Sequence, residues 1–225
     1  MVELLKKIPL FSSLKDEELE AIYKVAIIKK FKKDHFILLE NEGGDTLFVI
    51  ISGKVKVTVF SEHGKEVIFS ILEDGDFFGD MSLLDGNPRS ASVVAVEDSE
   101  VRMIRRPDFI RILENHPSIA LKLLEELTFR LRKADERIES LAFLDVTGRV
   151  AGILLQLASE KGVHSSEGVL IKSRPTHQEL ANMIGTTRET VTRVLKQLER
   201  KNYIIVSGKD ITIIDPESFK SDLYL

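Results

Sequence analysis

Residues 176–201 read THQELANMIGTTRETVTRVLKQLERK, and this stretch decides the back of the chain. Leu180, Ala181 and Ile184 make one inward face of a first short helix. Gly185-Thr186-Thr187 breaks it, because a glycine turns with positive φ where a side chain would clash. Thr187 can then cap the next helix by accepting a backbone N–H bond. Val191, Val194, Leu195 and Leu198 follow at helical spacing, which leaves Arg188, Glu189 and Arg193 outward near the second helix's N-terminus. Two helices so joined are a helix-turn-helix, whose second helix reads base edges in the major groove from this end. Arginine offers a two-pronged donor to guanine O6 and N7, and a carboxylate accepts from cytosine N4. Each good bidentate contact is worth ~1–3 kcal/mol of base discrimination. An ordinary helical pair with a solvated charged face has the same spacing. The downstream YIIVSGKDITIID weighs against it, reading as a β-hairpin turning at Ser207-Gly208-Lys209-Asp210, the wing of a winged helix-turn-helix.

Composition limits the rest. A chain of 225 residues suits two domains, and 43% hydrophobic content is enough for ordinary cores. The formal net charge of −4 does not advertise nucleic-acid binding, but its distribution is uneven. From Asp145 onward there are eleven Lys/Arg against ten Asp/Glu, so the first 144 residues carry a net of −5. Residues 188–201 alone hold five basic and two acidic side chains. An acidic front half repels DNA, so contact is confined to this small basic face. There is no cysteine, which excludes disulfides, Cys-ligated zinc and thiolate-held iron–sulfur clusters. The opening MVELLKKIPLF lacks an apolar core of signal-peptide length, and no apolar run approaches ~18 residues. The expectation is a soluble cytoplasmic protein with no membrane partner.

The chain has an α+β organisation. Residues 14–28 read as an amphipathic helix with Ser13 as N-cap and Asp16, Glu17 and Glu18 at its positive end. From about residue 34 to 106, FILLE, TLFVII, KVKVTVF, EVIFSIL, ASVVAVE and VRMIR are short β-rich runs between Gly/Asp turns, which predicts a small β-barrel or roll. A long helix then runs from Pro117 to about residue 144. Leu124, Leu127, Leu131, Ala134, Ile138 and Leu141 form a heptad seam on it. The seam predicts a homodimer, since two-fold symmetry places two recognition helices about one DNA turn apart. Packing of the helix on its own barrel alone is the competing reading. Phe143-Leu144-Asp145 reads as a hinge, and Asp145 as the cap of a following helix carrying Val150, Ile153, Leu154 and Leu157. The expected domains are 1–116, a β-roll; 117–144, the dimerisation helix and hinge; and 145–225, the winged helix-turn-helix.

Residues 77–93, FFGDMSLLDGNPRSASV, are the most specific part of the front half. Gly79-Asp80-Met81-Ser82-Leu83-Leu84 can form a short helical turn, and Arg89 and Ser90 return a guanidinium and a hydroxyl a few residues later. A fork-shaped cation beside exposed N–H groups suits a phosphate. Asp80 could accept from a sugar hydroxyl. A β-turn with a surface salt bridge from Arg89 to Asp80 or Asp85 is the plainer alternative.

This loop resembles the phosphate-binding cassette of cyclic-nucleotide-binding domains, with its F-G-E, short helix and P-R-S/T-A pattern. SLAFLDVTGRVAGILLQLA, the helix-turn-helix and RETVTRVL are similar to the bacterial CRP/FNR transcription regulators, nearest the cyclic-AMP receptor branch. The resemblance covers nearly the whole chain in the right order. It implies a β-roll sensor at 1–116 and a homodimer that binds double-stranded palindromic DNA under the control of a cyclic nucleotide, with cyclic AMP as the leading effector. It places the phosphate at Arg89 and Ser90, beside Gly79, Asp80, Met81 and Ser82. The family's Gly-Glu pair is Gly79-Asp80 here, one methylene shorter. The Thr-Ser pair that the cyclic-AMP branch sets against adenine falls on Ala134-Asp135. If the Asp135 carboxylate meets a base, it suits guanine's adjacent N1–H and N2–H₂ donors, which brings in cyclic GMP or cyclic di-GMP. If Asp135 faces water, it says nothing about the base.

The resemblance also implies TGTGA-like half-sites read by Arg188, Glu189 and Arg193, with His177 and Gln178 touching phosphate. Thr176, Thr187, Thr190 and Thr192 complete the candidate DNA face. Lys172, Arg174, Lys196, Arg200, Lys201 and Lys209 are candidate phosphate contacts. The loop at residues 162–168, VHSSE between two glycines, reads as exposed, and its family counterpart can touch RNA polymerase. Two rival functions stand beside this one. One is a DNA-binding regulator without an effector, favoured by Asp80, Ala134 and Asp135. The other is a cyclic-nucleotide-binding regulatory subunit of an enzyme, disfavoured by the wing. Haem would need axial ligands, and His63 reads as a solvated turn residue. No metal spacing, P-loop or paired nucleophile and base points to catalysis.

Overall fold

Runs of period two between Gly/Asp turns pair as antiparallel strands. In this computed structural model, which describes residue 6, residues 8–12 and residues 14–223, they build two four-stranded sheets in the first of two compact units, Met1–Arg130 and Leu131–Leu225. One sheet has the order β1-β8-β3-β6, from β1 (Ile27–Phe31), β8 (Ser99–Arg105), β3 (Thr46–Ser52) and β6 (Phe77–Phe78). The other has the order β2-β7-β4-β5, from β2 (Phe36–Leu38), β7 (Ser92–Ala95), β4 (Val55–Phe60) and β5 (Glu66–Leu72).

Alternation explains why the middle of β3, residues 47–50, is apolar and buried on both faces. Phe48 and Ile50 point to one side, into a cluster with Val55 and Val93 of the other sheet. Leu47 and Val49 point to the opposite side, into a cluster with Leu19, Ile22, Phe109, Ile119 and Leu123. Both faces of the strand are therefore dry. Helices α1 (Asp16–Val25), α3 (Arg106–Asn115) and the start of α4 (Pro117–Phe143) supply that second cluster. The short α2 (Asp80–Asp85) lies between β6 and β7.

Several boundaries differ from expectation. The first helix is shorter than 14–28. Lys15 is its N-cap residue, with the Lys15 N–H donating to Glu18 Oε2 at 2.7 Å. Ser13 lies outside the described residues. Ile27 and Ile28 belong to β1, so the strands begin earlier than residue 34; they pair with Met103 and Arg102 of β8. The segment 106–115 is helical, a signal hidden by its closeness to Pro117.

In the second unit Asp145 caps α5 (Val146–Lys161), its carboxylate accepting from Gly148 N at 2.8 Å. Helices α6 (His177–Ile184), α7 (Arg188–Arg200) and α8 (Pro216–Leu223) pack with a sheet ordered β11-β12-β10-β9. Its strands are β9 (Val163–Ser165), β10 (Gly168–Ile171), β11 (Ile204–Ser207) and β12 (Asp210–Ile213). The wing is the β11–β12 hairpin, turning at Gly208-Lys209. Residues 162–168 are not a plain loop: β9 and β10 pair across Ser166-Glu167, with Val169 opposite His164. Helix α8 is a further departure from expectation. Its Phe219 is fully buried among Leu154, Val191, Leu195 and Ile213 and meets Tyr203 edge-on at 5.9 Å. Phe219→Ala is expected to cost about 3–5 kcal/mol, measurable as a lowered urea midpoint for the unit that contains α7.

Candidate functional site

The front site begins where β6 ends. Gly79 has φ +82°, and a Cβ there would stand 2.8 Å from the Thr46 carbonyl and 2.9 Å from Arg89 Nη1. The missing side chain leaves room for the Arg89 guanidinium. Gly44 makes the same allowance from the other side, since a Cβ on it would overlap Arg89 Nε. Arg89 is only 5% exposed. Its Nη1 donates to the Gly79 carbonyl at 2.7 Å and its Nη2 to the Thr46 carbonyl at 3.0 Å, and it lies 6.0 Å from the Phe48 ring centroid. Burial pulls its pKa below the usual guanidinium range, and the carboxylates of Asp45 and Asp80 pull it back. Ser90 is exposed, and its hydroxyl donates only weakly, to Met81 Sδ at 3.5 Å. Met81 is exposed and Ser82 buried.

The surface pair of Arg89 with Asp80 or Asp85 does not form. Asp85 accepts instead from the backbone and side-chain N–H groups of Asn87, both at 2.9 Å. Asp80 is 3% exposed, and its Oδ1 meets Arg130 Nη1 at 3.3 Å. Its Oδ2 is buried without a hydrogen-bond partner. Arg130 also donates from Nε to Glu126 Oε1 at 2.9 Å and from Nη2 to the Phe77 carbonyl at 2.8 Å, and lies 4.6 Å from the Phe77 ring centroid. Sequence reasoning missed Arg130. Its only local signal is an i,i+4 pair with Glu126, and nothing links it to Asp80 fifty residues earlier. Ala134 and Asp135 are exposed on α4 and belong to the second unit.

The second site is the outer face of α7. Gly185 has φ +71°, and Thr187 caps the helix by accepting from Thr190 N at 3.3 Å. Thr176 caps α6 reciprocally. It accepts from Glu179 N at 3.2 Å, while its own N–H donates to Glu179 Oε2 at 2.7 Å. Arg188, Glu189, Thr192, Arg193, Lys196 and Arg200 line one open depression. Its own backbone N–H, the Thr187 hydroxyl and the Arg188 charge hold the Glu189 carboxyl below its ordinary range, so it remains an acceptor. Lys172, Gln178, Lys201 and Lys209 are exposed, and Arg174 and His177 half-buried. Two bonds tie the wing to the segment before α6. Arg174 N donates to the Lys209 carbonyl at 3.0 Å, and Ser173 N to Asp210 Oδ1 at 2.9 Å. Among the described residues no three His, Cys, Asp or Glu side chains gather as metal ligands, and no helix is long and apolar enough to cross a membrane.

A family model of the cyclic nucleotide-binding domain matches residues 28–116, and one of the Crp-like helix-turn-helix domain matches residues 148–221. The chain is similar to a CRP-like cAMP-activated global transcriptional regulator of Mycobacterium tuberculosis, at 32% identity over 96% of this chain and 97% of that protein. It is similar to the cAMP-activated global transcriptional regulator CRP of Salmonella typhimurium, at 38% identity over 88% of this chain and 94% of that protein. A solved CooA variant from Carboxydothermus hydrogenoformans has the same fold, with a TM-score of 0.81 at 24% identity over 89% of each chain.

Arg130→Met removes the cation that touches the buried Asp80 carboxylate and leaves it only the more distant Arg89. The expected loss is about 1–3 kcal/mol by urea denaturation. The Arg130 side chain is 31% exposed, which keeps the loss below that of a fully buried pair. Adding Asp80→Asn should restore most of it.

Proposed function

The chain belongs to the CRP/FNR family of transcription regulators, DNA-binding proteins rather than enzymes, and on that footing we propose a homodimer whose grip on a palindromic operator is set by cyclic AMP. The observation that carries this reading is the buried, unpartnered Asp80 Oδ2 beside the Gly79 carbonyl that holds Arg89. An acceptor in want of a donor, next to a fixed cation, suits a ligand with a hydroxyl near a phosphate. Arg89 keeps N–H groups beyond the two spent on carbonyls, and the Ser90 hydroxyl is free to turn from Met81. Similarity to cAMP-activated regulators supports cyclic AMP over the guanine nucleotides. The residues that depart from the family's adenine contacts, Ala134 and Asp135, are exposed in the single chain, Ala134 on the seam itself.

Switching needs an effector with different affinity for two dimer arrangements. The seam supports the dimer. Leu124, Leu131, Ile138 and Leu141 are each exposed, Ile138 at 65%, along one row of a single chain's helix. In the dimer, Arg188, Glu189 and Arg193 meet base edges, and Lys196, Lys209 and the flanking cations meet phosphates.

Calorimetry with cyclic AMP, cyclic GMP and cyclic di-GMP tests the effector. Cyclic AMP is expected to bind, and Arg89→Leu to weaken it at least about thirtyfold, the lower end for losing one partner of a desolvated charge pair. Ser90→Ala, at an exposed site, should weaken it less and leave the fold intact. Binding of a guanine nucleotide alone would reassign the effector to the Asp135 reading, and unchanged operator binding across all three would leave a regulator without one. For the dimer, Ile138→Glu is expected to raise the dissociation constant at least about tenfold in sedimentation equilibrium, because an apolar seam cannot take an unpaired carboxylate without cost.

A further inference from the structure

We propose that His177 is a positioning residue: as a neutral imidazole it clamps the first turn of α7 to the start of α6, and operator binding weakens in acid when the clamp opens. This rests on the reading that the outward side chains of α7 meet DNA, and it gives His177 a role other than touching phosphate.

The clamp is a directed chain of hydrogen bonds. His177 Nε2 lies 3.0 Å from Arg174 Nη2, and His177 Nδ1 lies 2.8 Å from Thr192 Oγ1. Thr192 Oγ1 in turn donates to the Arg188 carbonyl at 2.9 Å. A guanidinium has donors only, so Nε2 must accept with its lone pair. The ring proton therefore sits on Nδ1 and is donated to the Thr192 hydroxyl, whose own proton goes to Arg188. Each role is forced by the one before it. The chain joins the segment before α6, the first residue of α6 and the first turn of α7. It fixes the backbone from which Arg188 and Glu189 project.

A second ring proton breaks the chain at one point. An Nε2–H would face the Arg174 N–H, and the acceptor would be gone. The charged groups facing the ring are Arg174, from the segment before α6, and Arg188, from α7. Burial first, then these two cations, hold its pKa below the ordinary imidazole value. The clamp is therefore complete above the ordinary value of ~6.5 and is lost as pH falls through the ring's own, lower pKa. A phosphate contact by His177 would have the opposite sign, since an imidazolium grips phosphate more tightly.

The test uses the full-length protein and a labelled duplex with inverted TGTGA half-sites about one helical turn apart. Anisotropy titrations run from about pH 8 down to about pH 5, which spans the charge change of an imidazole, with each of the three cyclic nucleotides and with none. Relative to His177→Asn, the wild type is expected to lose about three- to tenfold in affinity across this range, the worth of one hydrogen bond. His177→Asn, whose amide can donate to Thr192 but does not titrate, should lack the acid loss. His177→Ala and Thr192→Val should both start lower by a similar factor. The proposal is overturned if His177→Asn follows the wild-type profile, or if the wild type gains on it in acid. Nitrogen-15 NMR of the imidazole reads the clamp without DNA: the proton is expected on Nδ1 at neutral pH, and a proton on Nε2 would sink the idea. A proton on Nδ1 with no duplex bound under any condition would instead overturn the recognition reading on which the acid effect rests.

Discussion

A buried guanidinium has to be satisfied, and Arg89 organises the front of this molecule by that requirement. Leaving a charge in a dry site costs far more than any single contact returns. Arg89 meets the demand with the carbonyls of Thr46 and Gly79 and the nearby carboxylates of Asp45 and Asp80. The loops of residues 44–46 and 79–80 are thereby pinned to one side chain. Two glycines are needed for it to fit. Asp80 carries the linkage onward to Arg130, so the loop and helix α4 share a polar connection within the first unit. An effector that drew on Asp80 would compete for a group that α4 also holds, and that competition gives it a differential affinity to act through.

The rear unit follows a different logic. Its core is a continuous apolar cluster to which α5, α6, α7 and α8 each contribute an inner face. The polar work lies at the helix ends: Asp145, Thr176 and Thr187 each cap the helix that follows them. Caps satisfy the orphan N–H groups of a first turn. In α7 they do so where Arg188 and Glu189 project. The Thr187 and Thr192 hydroxyls are engaged in holding the helix, while Arg188, Arg193 and Lys196 are left to face outward.

Much of this was legible in the amino-acid order. The break at Gly185, the caps at Asp145 and Thr187, the long helix after Pro117 and the wing at Gly208 rest on chemistry within four residues, and short-range chemistry is visible in a string. Arg89 and Ser90 stood out because the loop that carries them resembles a known cassette. The missed elements had masked signals. Helix α3 sits against Pro117, which suggested a fresh start; β1 continues the apolar pattern of α1; and β9 with β10 is too short for its alternation to register. Helix α8 carries little signal because its central Phe219 has no apolar partner at helical spacing except Leu223.

From sequence alone came the residue types, the periods of 3.6 and two, and the capping geometry, since all of these depend on neighbours along the chain. The tertiary structure decided which charges meet. It took Asp80 from the Arg89 of its own loop and gave it to Arg130, and it set His177 against Thr192 fifteen residues later. Those pairings follow from how sheets and helices pack, and packing is a sum over many distant contacts that no local spacing encodes.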